Sequence, residues 1–199
     1  MLEVGNGGMT TAEYRSQFAI WSLFKAPLLI STDLTKIKAD DLQILSNTEV
    51  IAINQDKLGV AGRLVEERPQ DPAHLQVWAG PLSAGRVAVV MWNRGNTTEE
   101  ILGRFVNFQL DGEAAVRDCI AHKELGVASS QITLNVSSHD VRVLVLTPTA
   151  APTDVGDAAD TAWAARWRHH GIKVPQSRIA WEAEKKAHPE LYASVQRRH

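Results

Sequence analysis

The chain has 199 residues, of which 44% are hydrophobic and 22% charged, and its formal net charge is -2 at pH 7. This length can hold one large domain or two small ones, and the composition is that of an ordinary globular protein. The near-zero net charge argues against nucleic acid or an anionic membrane as a partner. No apolar run approaches the roughly 20 residues of a membrane span, and the N-terminus lacks the basic start and apolar stretch of a signal peptide.

A helix is predicted over residues 10–24. Thr10 and Glu13 match a capping box, in which the threonine side chain accepts a backbone N–H and the glutamate reaches back. Apolar side chains then recur at helical spacing, at Tyr14, Phe18 and Trp21. Pro27 forbids the helix to continue. The preceding run Gly5-Asn6-Gly7-Gly8 is interpreted as a turn, because it lacks the lysine and hydroxyl of a phosphate-binding loop.

A piece of α/β architecture follows this helix. Residues 28–30 are a short apolar run, typical of a parallel strand that is buried on both faces. Two further short helices are predicted, over residues 40–45 and 50–54. A helix, a buried strand and more helices make an α/β unit that is too small to be complete, and we assign residues 1–72 to it.

From residue 73 the hydrophobic period changes to two, which indicates β-strands. The predicted strands are residues 75–79, 87–92, 101–110, 114–121, 132–136 and 141–145. Asp111-Gly112 and residues 123–126 are interpreted as breaks between them. Short strands at this spacing predict an antiparallel β-sandwich or barrel over residues 73–148.

Residues 149–199 differ in character from the rest of the chain. They are rich in alanine, tryptophan and histidine, carry basic clusters and show few strong apolar repeats. Because this composition supplies little that a core can bury, we expect a disordered or loosely helical tail, with one helix around residues 179–186. Three tryptophans offer an alternative, a docked tail, at Trp163, Trp167 and Trp181.

Several acidic and histidine pairs invite a catalytic or metal-binding interpretation. The acidic pairs are Asp40-Asp41, Glu66-Glu67 and Glu99-Glu100. Adjacent acids on a strand point to opposite faces, and on a helix they lie apart around the axis, so solvated surfaces are the favoured interpretation. His169-His170 has no third ligand at a recognisable spacing. We therefore expect no metal site and no cofactor.

Other residues allow both a structural and a functional interpretation. The lone cysteine, Cys119, excludes an internal disulfide, and a buried strand residue is favoured over a nucleophile activated by Arg117 and His122. Trp78 and Trp92 lie on adjacent predicted strands; they suit stacking on a sugar, but sheet packing is favoured. Asn96 and Asn135 begin glycosylation sequons, so both are candidate glycosylation sites.

Several long blocks, in order along the chain, resemble the α-galactosidases (melibiases) of glycoside hydrolase clan D, with the plant-type branch the most similar. The first block is Met1 to Thr10 with Glu13-Tyr14-Arg15, and the second is Lys25-Ala26-Pro27-Leu28-Leu29-Ile30. The others are residues 45–56, 77–82, 89–95 and 143–148. Residues after 148 match nothing in that family.

This resemblance implies a fold class of α/β plus all-β, in which the C-terminal fragment of a (β/α)8 TIM barrel is followed by an antiparallel β-sandwich. The family removes terminal α-linked galactose from oligosaccharides and galactomannans with two aspartates, as nucleophile and acid/base. Both precede the block that Met1 begins, so the expectation is a truncated chain that contains no catalytic residue and is inactive alone.

The resemblance also suggests one substrate contact and a location. Met1 matches a methionine that packs beside the sugar, and galactosides are the implied partners. Asp33 follows the last predicted barrel strand, where barrel active sites form, and is the strongest alternative catalytic candidate. The family location is secreted, cell-wall or vacuolar/lysosomal. A non-catalytic carbohydrate-binding or structural sandwich remains the alternative function, and the oligomeric state stays open.

Overall fold

A computed structural model describes residues 1–67, 74–150 and 156–169. The helices are α1 Thr11–Leu23, α2 Ala39–Leu45, α3 Thr48–Asn54 and α4 Asp157–His169. The strands are β1 Arg63–Glu67, β2 Gln76–Pro81, β3 Val87–Trp92, β4 Glu99–Arg104, β5 Glu113–Asp118, β6 Lys123–Ser129, β7 Gln131–Val136 and β8 Val141–Pro148. A 3₁₀ helix, Phe105–Phe108, follows β4.

The strands form two sheets. Six of them make one sheet in the order β1-β2-β3-β8-β5-β6, while β4 and β7 pair in a second sheet. Every pair of these strands is antiparallel. The two-residue period predicted an antiparallel sandwich or barrel, and the sandwich is the alternative that the structure confirms.

The six-stranded sheet is buried on both faces at its centre. Along β3 the side chains alternate: Val87, Val89 and Met91 enter the core between the two sheets. Ala88 and Val90 enter a second core, which they share with α1, α2 and α3. This double burial explains why β3 is a continuous apolar run rather than an alternating one.

Side chains cap the starts of two helices, including the predicted start of α1. The Thr10 Oγ1 accepts the Glu13 N–H at 3.3 Å, and the Glu13 Oε2 accepts the Thr10 N–H at 2.7 Å, which completes the capping box. The third helix is capped by Asn47, whose Oδ1 accepts the Glu49 and Val50 N–H groups, both at 3.1 Å. Side-chain oxygens thus satisfy backbone N–H groups that a helix start leaves unpaired.

The prediction of a buried strand at residues 28–30 was wrong. Ile30 makes one isolated parallel bridge, to Leu2, and the side chains of Leu29 and Ile30 are 58% and 47% exposed. Burial on both faces of a parallel strand needs strands on either side and covering helices. Within the described residues, the bridge to Leu2 is the only pairing that this run makes.

One predicted strand and one predicted break between residues 101 and 126 were wrong. The expected strand over residues 101–110 ends at Arg104, because the following 3₁₀ helix places Phe105 and Phe108, three residues apart, in the sandwich core. The expected break at residues 123–126 is instead part of β6, which pairs with β5 at the edge of the sheet. Gly126 adopts a φ of +94°, which a strand tolerates at a bulge.

The ends of the predicted sandwich also differ from expectation. Strand β1, assigned to the α/β unit, pairs with β2 across Arg63↔Ala79 to Glu67↔Gln76.

The tail, expected to be disordered or loosely helical, contains helix α4, which buries Ala164 and Trp167, each 3% exposed. Helix α4 therefore brings apolar side chains of the tail to one buried face. The overall composition of the tail gave no indication of this face. The predicted helix at residues 179–186 and the residues His170 and Trp181 lie outside the described residues.

Candidate functional site

Two loops meet beside the Leu2–Ile30 bridge. Because the bridge is parallel, the residues after Leu2 and those after Ile30 lie at the same edge. The Ser31 Oγ donates to the Leu2 carbonyl at 2.6 Å, and the Asn6 Nδ2 donates to the Ser31 Oγ at 2.7 Å. The Asn6 Nδ2 also donates to the Glu3 Oε2 at 2.8 Å. We call Glu3, Asn6 and Ser31, together with Met1, the barrel-edge cluster.

The first loop of this cluster is a glycine turn, as the sequence predicted. Gly5, Gly7 and Gly8 have φ values of 86°, 89° and 85°, a left-handed region that other residues rarely adopt. The Gly7 N–H donates to the Tyr14 hydroxyl at 2.6 Å, which ties the loop to α1. The loop is thereby held against the helix that follows it.

Asp33 is held as an ionised hydrogen-bond acceptor. Its Oδ1 accepts the hydroxyl and the N–H of Thr35 at 2.7 and 3.0 Å, and Lys36 lies 3.4 Å from its Oδ2. The hydrogen bonds from Thr35 lower the pKa of the Asp33 carboxyl. A general acid needs a raised pKa instead, so these contacts do not favour that role.

The acidic pairs are distributed over separate structural contacts. Glu66 binds Arg104 at 2.5 Å and Asn107 at 3.0 Å, while Glu99 accepts the Thr97 hydroxyl at 2.6 Å. Asp41 is 7% exposed on α2. In the described ranges, no group of three or more His, Cys, Asp or Glu side chains could hold a metal ion. The side chain of His169 and the whole of His170 lie outside the described residues.

The two sandwich tryptophans have different surroundings. Trp78 packs edge-on against Phe24 with ring centroids 5.3 Å apart, and its Nε1 donates to the Gln76 Oε1 at 3.0 Å. Trp78 is thus part of the packing between α1 and the sheet. Trp92 lies at the end of β3, half-buried, with the Arg94 guanidinium 5.1 Å from its ring centroid.

Trp92 faces a groove on the side of α1. This groove, which we call the α1–β3 groove, is a cavity of about 460 Å³. Its lining includes Met9, Gln17, Trp21, Trp92, Arg94 and His139. Trp21 was visible in the sequence as part of an apolar helix face, but its proximity to Trp92 depends on the packing of α1 against β3. The sequence carried no signal for Gln17, Arg94 or His139.

Both glycosylation candidates have exposed side chains. Asn96 lies between β3 and β4, and its Oδ1 is 2.9 Å from the His139 Nε2. Asn135 lies on β7, and its backbone carbonyl accepts Arg142 Nε at 3.3 Å. Glycosylation requires an accessible asparagine side chain, and both asparagines meet this requirement. Both glycosylation sites stay predictions. Met1, the predicted substrate contact, is 67% exposed and stays a prediction as well.

Charged side chains connect the helices to the sheet. Glu49 on α3 accepts the Arg117 Nε and Nη2 at 2.9 and 2.8 Å, and the His122 Nδ1 lies 2.7 Å from its Oε1. The bonds from Arg117 lower the pKa of Glu49 to about 2. Arg15 on α1 makes a two-point contact with Asp140, with both distances 2.9 Å.

Cys119 lies beside this charged contact, immediately after β5. Its N–H donates to the Val143 carbonyl at 2.8 Å, and its side chain is 1% exposed. Burial, with the nearby Glu49 and Asp118, raises the pKa of the thiol to about 12. A thiol in this state is not a nucleophile at neutral pH, so the structural interpretation is supported.

Comparison with known proteins identifies two regions of the chain. A family model described as alpha galactosidase A matches residues 1–56, and one described as alpha galactosidase C-terminal beta sandwich domain matches residues 73–146. Residues 1–56 and 73–146 belong to the α-galactosidase family. They are similar to the C-terminal portion of its plant-type members.

Two curated plant α-galactosidases show this similarity. The α-galactosidase of Coffea arabica is 51% identical over 150 residues, which are 74% of this chain and 39% of the coffee protein. The one from Oryza sativa subsp. japonica is also 51% identical over 150 residues, 74% of this chain and 35% of the rice protein. The chain therefore spans less than half the length of these α-galactosidases.

Solved α-galactosidase structures share the fold. The crystal structure of α-galactosidase I from Mortierella vinacea superposes with a TM-score of 0.70 at 32% identity, covering 77% of this chain and 40% of that one. The Saccharomyces cerevisiae enzyme with raffinose gives a TM-score of 0.68 over 74% of this chain and 46% of that one. At 21% identity, the yeast comparison bears on the fold alone.

None of the described helices is both long and apolar enough for a membrane span.

Proposed function

We propose that this chain is the C-terminal part of an enzyme that hydrolyses terminal α-linked galactose from oligosaccharides and galactomannans. The observation that carries the proposal is the pair of α-galactosidase matches, to residues 1–56 and 73–146. A retaining mechanism with two aspartates is the chemistry that the family resemblance implies.

The barrel-edge cluster is the part of this chain that would border the sugar. It lies directly after the isolated parallel bridge between Leu2 and Ile30, and barrel enzymes place their active sites at the carboxyl ends of their parallel strands. In this proposal Met1 packs beside galactose, while Asn6 and Ser31 hold the two loops in place. The family resemblance implies that both catalytic aspartates precede the block that begins at Met1, so that neither has a counterpart in the 199 residues.

We therefore expect the 199-residue polypeptide alone to release no product from a chromogenic α-galactoside above background. A retaining glycosidase needs both a nucleophile and an acid/base, and losing either removes most of the rate enhancement. Supplying the preceding barrel segment of a plant relative in trans is the complementary measurement, because reassembly would restore both carboxylates. Activity of the reassembled pair, together with no activity of the 199-residue chain alone, supports the proposal.

Asp33 provides the decisive control for this assay. Turnover by the isolated chain that disappears in Asp33→Ala would overturn the proposal and place the active site at this carboxylate. Asp33→Ala in the reassembled pair should instead retain activity, because Asp33 bonds to Thr35 in its own loop. A pair that folds but stays inactive would count against the assignment of the family's activity to this chain.

The same proposal places the protein in the secretory pathway, as a secreted, cell-wall or vacuolar/lysosomal enzyme. Its support is the exposure of both sequon asparagines, Asn96 and Asn135. Mass spectrometry of the protein from its native host tests this directly. Unmodified Asn96 and Asn135 in all of the recovered protein would remove that support.

A further inference from the structure

Two tryptophan side chains line the α1–β3 groove. The indoles of Trp21 and Trp92, both half-buried, line a cavity of about 460 Å³. Ligand sites typically occupy roughly 300–1,000 Å³, so this volume suits a small ligand. Indole faces attract the weakly positive C–H groups of a pyranose ring, and half-burial leaves part of each ring available for such packing.

Hydrogen-bonding groups surround the two indoles. The Gln17 Oε1 accepts the Glu3 N–H at 2.8 Å, while its amide N–H₂ has no partner within the described ranges. Arg94 is exposed, and its guanidinium lies 5.1 Å from the Trp92 centroid. Amide and guanidinium N–H groups are donors that a sugar hydroxyl can accept.

The charges of the groove favour a neutral ligand. Its lining contains one carboxylate, Glu13, and one guanidinium, Arg94, so neither sign dominates. The Glu13 Oε2 already accepts the Thr10 N–H and hydroxyl at 2.7 and 2.9 Å. The Glu13 carboxylate would repel an anion, and the Arg94 guanidinium would repel a cation.

We propose that the α1–β3 groove binds a free, neutral oligosaccharide, with Trp92 and Trp21 packing on pyranose rings and Gln17 and Arg94 donating to hydroxyls. This binding requires no pair of catalytic carboxylates. It is therefore distinct from hydrolysis, and its outcome does not depend on whether α-galactosidase activity is found.

The test is a titration of the unglycosylated 199-residue chain, produced in bacteria. The probes are raffinose, a galactose-substituted manno-oligosaccharide and, as the charged comparator, an oligogalacturonate. Saturation-transfer NMR and tryptophan fluorescence report binding. We expect a neutral probe to bind with a Kd of roughly 0.1–1 mM, and the uronate at least about tenfold more weakly. Absence of binding by both neutral probes at 10-fold higher concentration, roughly 10 mM, would overturn the proposal.

Matched variants locate the binding. Trp92→Leu keeps apolar bulk but removes the flat ring, and we expect at least about a tenfold rise in Kd. Arg94→Gln, at an exposed position, tests the groove without disturbing a core and should raise Kd about threefold. Trp163→Leu on α4 is the control for the loss of a tryptophan elsewhere. Binding that is unchanged in Trp92→Leu and Arg94→Gln would move the site away from this groove.

A glycan attached to Asn96 offers the same chemistry, since Asn96 touches the groove residue His139. Chain from a glycosylating host, compared with its Asn96→Gln variant, separates the two sources. Equal affinity of the bacterial chain and the Asn96→Gln chain supports binding of a free oligosaccharide. If the free probes never bind and Trp92 fluorescence changes only when Asn96 is glycosylated, the groove holds the chain's own glycan and the proposal is overturned.

Discussion

Arg117→Gln is the most informative test of how the helices are held on the sheet. Arg117 lies on β5 and donates two hydrogen bonds to Glu49 on α3. These bonds cross the boundary between the two regions that match different α-galactosidase models. Replacing the guanidinium by an amide keeps a polar side chain of intermediate length but removes the charge and the two-point contact.

The expected cost can be worked from the pKa of Glu49. A fall from 4.5 to about 2 corresponds to an upper limit of roughly 3 kcal/mol at 1.36 kcal/mol per pKa unit. The two side chains are 27% and 31% exposed, so solvent screens part of this interaction. We therefore expect Arg117→Gln to lower the free energy of unfolding by about 1–2 kcal/mol, or the midpoint temperature by about 2–8 °C.

The pH dependence follows from the direction of that shift. The folded state holds the Glu49 pKa below its unfolded value, so the stabilisation is complete above pH 4.5 and is lost as the pH falls towards 2. The stability difference between the natural chain and Arg117→Gln should be largest at pH 5–7 and should shrink at pH 4 and pH 3. Urea unfolding at each pH measures it.

The matched control is Lys123→Gln, which removes one positive charge from an exposed position on the neighbouring strand β6. A double-mutant cycle with Glu49→Gln isolates the coupling between the two side chains, which we expect to be about 1–2 kcal/mol. An Arg117→Gln chain as stable as the Lys123→Gln control at pH 7 would refute this reasoning. A difference that stays constant down to pH 3 would refute the assignment to Glu49.

Two further predictions concern the tail and the thiol. Trp167→Ala should lower the free energy of unfolding by roughly 3–5 kcal/mol in urea, because it removes a core side chain that is 3% exposed and that lies 4.7 Å from the Arg63 guanidinium. The control Ala162→Ser, at an exposed position of the same helix, should change the stability little. An unaltered unfolding midpoint in Trp167→Ala would mean that α4 is not docked. Cys119 should resist a thiol reagent at pH 8 until denaturant is added, because burial raises its pKa to about 12; rapid labelling of the folded chain would contradict its burial.

Local patterns in the sequence determined the elements whose signals are complete within a few residues. The capping box of Thr10 and Glu13 predicted the start of α1, and the two-residue period predicted β2, β3, β7 and β8. Several ordered blocks also carried the family resemblance, since α-galactosidase side chains recur at matching positions. These signals survive in the sequence because backbone hydrogen bonding and strand alternation depend on neighbouring residues.

Tertiary structure decided the features that depend on distant residues. Residues 123–126 form the start of β6 because they pair with the edge of β5. Phe105 and Phe108 lie in a 3₁₀ helix rather than in an extended strand, and their side chains fill the core between the sheets. The burial of Trp167 and the placement of Trp21 and Trp92 around one groove depend on segments far apart in the chain. Burial energy depends on which apolar surfaces meet, and no local pattern encodes the partner.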